Sequence, residues 1–163
     1  MFSMTIAASA ILIAINAIPV PPPTNSARTP IVDVKSADDH LESARKALAL
    51  GAFDEARREF AASAALDREA GRVPVESSFG LAQALFAQSY DREAATVLAK
   101  LADDAKRAGD AEVEAKALND LVWLNVNGGQ RLEARANGLR LRSLLEKATL
   151  SDDTRKAIKR RHG

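Results

Sequence analysis

From Ser36 onward, helix-breaking signals recur at intervals that leave room for one amphipathic helix at a time. Ser36-Ala37-Asp38-Asp39 reads as a capping-box-like start, and Gly51 stops the helix that follows at about Leu50. Asp54 opens a second helix that ends near Ala70-Gly71, and Pro74 starts a third. Ser89-Tyr90-Asp91 separates the third from a fourth, and Gly109-Asp110 the fourth from a fifth. Asn127-Gly128-Gly129 ends the fifth. A sixth helix is expected over 130–148, and Ser151 caps a short seventh over 152–161. Only 4% of the 163 residues are aromatic and Ala and Leu dominate the 47% that are hydrophobic, so helix formers prevail over strand formers. The expected fold class is all-α.

The helices repeat as pairs. Gly51-Ala52-Phe53-Asp54-Glu55-Ala56, followed by Phe60, Ser63 and Leu66-Asp67, resembles the second half of a tetratricopeptide repeat. Aligning Ala56, Ala94 and Ala134 gives spacings of 38 and 40 residues, longer than the family's usual unit and similar to its long-unit subclass. In that alignment the small mid-helix position is Ala44, Ala82 and Val122, so the third unit departs from the pattern, and Gly138 replaces its second-helix aromatic. The resemblance covers residues 37–150. It implies a right-handed superhelix of three helical hairpins with a C-terminal capping helix, because a single hairpin cannot bury its apolar face alone.

The same resemblance implies where a ligand binds. The first helix of each hairpin lines the concave face, which places Leu41, Arg45 and Leu48, then Phe79, Gln83 and Phe86, then Asn119, Trp123 and Val126 on it. Each triplet is spaced i, i+4, i+7 and so forms one stripe on its helix. Three aromatics, including the one tryptophan, fall on these stripes. Phe79 and Trp123 fit groove or inter-helix core equally, and Phe86 is expected nearer the core. The family's clamp for C-terminal carboxylates needs Lys and Asn where Leu41 and Arg45 stand, so an apolar or amphipathic protein segment is the expected ligand.

Charge is unevenly distributed. Residues 28–130 carry 13 basic and 18 acidic side chains, whereas 131–163 carry 10 basic against 4 acidic. Arg155, Lys156, Lys159, Arg160 and Arg161 concentrate at the end, either as a solvated helix face or as a basic contact surface.

The N-terminal stretch is of another kind. Residues 4–20 are uncharged and almost wholly apolar, the length of a secretory h-region and the lower edge for a bilayer span. Residues 1–20 are therefore expected to be a cleaved signal peptide or an uncleaved membrane anchor, with an extracytoplasmic, periplasmic location. Prolines 19, 21, 22, 23 and 30 make 21–35 an extended linker, and 36–163 the folded domain.

No pattern for chemistry emerges. There is no cysteine, and His40 and His162 stand beside no nucleophile motif. Asp38-Asp39-His40 point apart on a helix, and Asn127-Gly128-Gly129-Gln130 lacks the lysine of a phosphate loop. Asp103-Asp104 and Asp152-Asp153 are expected as solvated surface acids. The reading is a non-enzymatic scaffold with no catalytic residue, cofactor, metal or nucleic-acid partner, binding protein through its groove. The alternative is a membrane-tethered accessory subunit of a larger membrane complex.

Overall fold

A computed structural model describes residues 35–162. The apolar segment and nearly all of the proline-rich linker lie outside the described residues, which are all-helical: α1 (Ala37–Ala49), α2 (Phe53–Glu69), α3 (Val75–Ala87), α4 (Asp91–Ala108), α5 (Ala111–Asn127), α6 (Arg131–Lys147) and α7 (Asp152–His162). The first helix begins where its sequence marks it. The Ser36 side chain accepts from the Asp39 backbone N–H at 3.2 Å, and the Asp39 carboxylate accepts from the Ser36 N–H at 2.9 Å. These bonds form the capping box, and the Ser36 hydroxyl, donating to the same carboxylate at 2.7 Å, together with the Ser36 N–H holds the Asp39 carboxyl below the usual carboxylate range.

The turns reveal the repeat in the backbone itself. Gly51, Ser89 and Gly129 adopt left-handed φ of 72°, 62° and 72°, each five residues before Ala56, Ala94 or Ala134. At each turn an N–H reaches back five residues to close the helix end: Ala52 to Ala47 O at 2.9 Å, Tyr90 to Leu85 O at 2.9 Å, and Gln130 to Asn125 O at 2.8 Å. Gly71 and Gly109 do the same between hairpins. Ser89 bears a side chain where the other four turns have glycine, a conformation that costs a non-glycine residue roughly 1 kcal/mol.

From α1 to α6 each helix packs on the next in the chain, α1 also touches α3, and α7 packs back on α5. At the helix crossings the six aligned positions (Ala44, Ala82, Val122, Ala56, Ala94 and Ala134) are all buried. Phe60, buried on α2, lies directly over Gly80 of α3, where an added Cβ would stand 2.3 Å from the ring's Cζ. The corresponding place in the third hairpin is empty: a Cβ added at Gly138 would meet no atom within 4 Å.

Ion pairs join the second helices of the hairpins. Arg68 on α2 donates to Asp104 on α4 at 3.0 Å, and Arg140 on α6 reaches Asp103 and the buried Glu114, both at 2.7 Å. The expectation of a solvated Asp103-Asp104 pair is thus corrected, because Asp104 is buried between Arg68 and Arg107. His40 likewise serves the fold, its Nδ1 sitting 2.7 Å from Glu59 across the first hairpin.

The Phe60–Gly80 fit yields a test of the packing. Gly80→Ala gains about 1 kcal/mol of helix propensity but drives a methyl into a ring with no room to move, so a net loss of about 1–2 kcal/mol is expected. Phe60→Leu in the same chain should recover part of it, and denaturant unfolding of the double-mutant cycle measures the coupling.

Candidate functional site: an aromatic groove between α3 and α5

The second and third hairpins do not close completely against one another. Between α3 and α5 lies an open cavity of about 310 Å³, floored by Ala82, Leu98 and Leu124 and walled by Phe79, Gln83 and Phe86 on one side and Asp120 and Trp123 on the other. Helical spacing explains the α3 wall, since 79, 83 and 86 share one stripe. Phe86 and Trp123 meet edge to face, their centroids 5.3 Å apart and their planes at 66°. Phe79 and Trp123 are half-buried with one side packed on the core, so each belongs to core and groove together. Phe86, expected nearer the core, is instead 44% exposed at the mouth, and Gln83 beside it is exposed.

The remaining predicted residues stand elsewhere. Leu41 and Leu48 pack half-buried on the core of the first hairpin, and Arg45 is paired with Glu76, Nε to Oε1 2.6 Å, bridging α1 and α3. None of the three lines this cavity. Asn119 is only 8% exposed and sits at the rim of a shallower adjoining cavity, while Val126, at 61%, projects beyond the groove. The unit-one stripe and the groove are therefore separate surfaces.

Two groove residues were not placed there by the sequence reading: Asp120, which it did not single out, and Arg161, which it assigned to a basic contact surface at the C-terminal end. Arg161 comes from α7, which does more than solubilise the end of the domain. Its Thr154 and Ile158 are buried, and Glu112 on α5 accepts from Ser151 N–H at 3.1 Å, from Ser151 Oγ at 2.6 Å and from the Thr154 hydroxyl. So docked, α7 carries Arg161 to the groove. Its guanidinium carbon lies 5.1 Å from the centroid of the Trp123 ring and Nη1 donates to Asp120 Oδ1. Burial pushes the Asp120 carboxyl up, and Arg161 only partly draws it back.

The basic end is thus not one surface. Arg155 turns inward, donating to the carbonyls of Leu145 at 2.9 Å and Ala148 at 3.0 Å. Lys159 edges a second, largely apolar cavity of about 570 Å³ over Gly138, Leu141 and Ile158, and Lys156 and Arg160 are exposed. The signal for α7 docking was present in Ser151 and Thr154, but nothing local named Glu112 as their partner.

Chemically the groove offers aromatic and aliphatic surface, one carboxylate and one guanidinium. Among the described residues no three His, Asp or Glu side chains are placed to hold a metal ion, and no helix is long and apolar enough to cross a membrane. No family model, curated protein or solved structure matches the chain.

The Glu112 bonds make the position of α7 depend on pH. Hydroxyl and backbone donors hold its carboxyl down at about 2, below an ordinary value of 4.5. A lowered folded-state value means stability that is full above pH 4.5 and is lost as pH falls through about 2. Glu112 is partly exposed, so Glu112→Gln should cost about 1 kcal/mol at pH 7. It should also flatten the decline of melting temperature between pH 4.5 and 2, read by thermal melts of both proteins.

Proposed function

We propose that the chain is a non-enzymatic scaffold of the tetratricopeptide type, working outside the cytoplasm, that holds an apolar or amphipathic segment of a protein partner between α3 and α5. What supports the reading is the groove itself. Phe79, Gln83, Phe86 and Trp123, the stripe positions of two successive hairpins, line one cavity, and Phe86 leaves 44% of its surface in water. Clustered aromatics over an apolar floor are the usual anchors of a protein interface, whereas a single exposed apolar side chain is not. The thrice-repeated hairpin with its recurring turn supports the family and a right-handed superhelix. Residues 4–20 support export or tethering.

Binding and folding can be separated at Phe86, because truncating a side chain that is already 44% exposed removes little core. Phe86→Ala should weaken partner retention by about 2 kcal/mol, some 30-fold, while the melting temperature changes little. Leu132, 80% exposed on α6 and outside the groove, supplies the control. Binding measured on both variants with partner purified from native membranes decides. Loss with Leu132→Ala and not with Phe86→Ala would move the interface elsewhere.

A further inference from the structure

At one point the groove is already occupied by the chain itself. Thr154, Ile158 and Arg161 fall at i, i+4 and i+7 on α7 and turn one face to the body of the protein. The first two are buried, and with Glu112 they hold the helix in place. The third makes no structural contact of that kind. Its side chain remains 36% exposed and its guanidinium lies between the face of Trp123 and the carboxylate of Asp120. A planar cation between an indole face and a carboxylate satisfies both, by attraction to the ring and by a charge-assisted hydrogen bond.

Asp120 makes this a slot for a cation rather than a chance contact. Its carboxylate is partly desolvated on the groove wall, and besides Arg161 the donor on it is the neighbouring Asn119 amide, Nδ2 to Oδ1 3.4 Å. Burial outweighs the arginine, so the ionised form is held at a cost to stability. The acid lines the cavity wall beside Phe79 and Trp123, within reach of whatever enters the groove.

Resting on the groove reading above, we propose that Trp123 and Asp120 form a guanidinium-recognition slot, that Arg161 is its resident occupant, and that the partner segment carries an arginine flanked by apolar side chains. The partner's arginine takes the slot while its apolar neighbours cover Phe79 and Phe86. Arg161 need only swing out, because α7 is anchored independently through Thr154, Ile158 and Glu112. The resident shows what fits, since the slot already holds a guanidinium over the Trp123 ring and against the Asp120 carboxylate. Lysine is the poorer fit, since its ammonium neither stacks flat nor presents the planar donor fork.

Trp123 is the one tryptophan in the chain and reports on the slot directly. The full-length protein and Arg161→Ala are titrated with N-acetyl-L-arginine amide and its lysine analogue, following tryptophan emission. Arg161→Ala should show a saturable response to the arginine probe at millimolar concentration, all that so small a ligand can reach. The parent protein should respond roughly tenfold more weakly, because its slot is occupied. The lysine probe should bind Arg161→Ala more weakly, and Asp120→Asn added to Arg161→Ala should abolish the response without lowering the melting temperature. Arg161→Gln, which keeps the stem, replaces Arg161→Ala if that variant folds poorly. Equal responses from parent and variant, or retained binding after Asp120→Asn, would overturn the slot. The probe reads the slot without the partner. Its failure while Phe86 still governs retention sinks this inference alone, and slot binding with Phe86-independent retention sinks the groove reading instead.

Discussion

Close approach of helices at small side chains sets the geometry from which everything else follows. Ala44, Ala56, Ala82 and Ala94 are buried at the crossings, and Gly80 lets the ring of Phe60 lie against a backbone with no intervening side chain. Helices this close bury apolar stripes on both partners, and dispersion across such a contact is lost quickly if the gap opens. The third hairpin relaxes the rule. Val122 stands where the others have alanine and Gly138 where they place Phe60 and Leu98, leaving open apolar space beside α6 and α7. The α3–α5 groove arises from a related balance, with Ala82, Leu98 and Leu124 closing its floor while large rings hold its walls apart.

Charge completes what packing begins. Arg68, Arg140 and Arg155 each bridge helices or close a helix end, so two of the ten basic side chains of 131–163, Arg140 and Arg155, are engaged internally. Glu112 does the same in the opposite sense, drawing the start of α7 onto α5. Arg161 differs from these. It pairs with a carboxylate that burial disfavours and covers an aromatic face that a partner could cover instead. The structural arginines and Arg161, the resident of the proposed slot, thus separate by what each holds in place.

How much of this was legible in the sequence depends on distance along the chain. Helix boundaries came through almost unchanged, because Gly51, Gly109, Pro74 and the Ser36 capping box act within a turn of themselves. The 38- and 40-residue spacings were visible for the same reason, and the left-handed turns at 51, 89 and 129 repeat them. The α3 and α5 stripes were legible from i, i+4, i+7 spacing, yet spacing does not say which member of a stripe faces water. Phe86 proved exposed and Asn119 buried, because the angle between neighbouring hairpins decides that. Arg161 over Trp123 joins residues 38 apart through the docking of α7, a tertiary event with no local signature.

We propose that partner binding belongs to the α3–α5 groove and not to the outer surface of the hairpins. Photo-crosslinking from single positions in living cells distinguishes the two surfaces. A photoreactive residue at Gln83, exposed on the groove wall, should trap the partner. The same residue at Thr96, exposed on α4 two positions from the groove-lining Leu98 and so turned away from it, should not. Crosslinks from Thr96 with none from Gln83 would contradict the account.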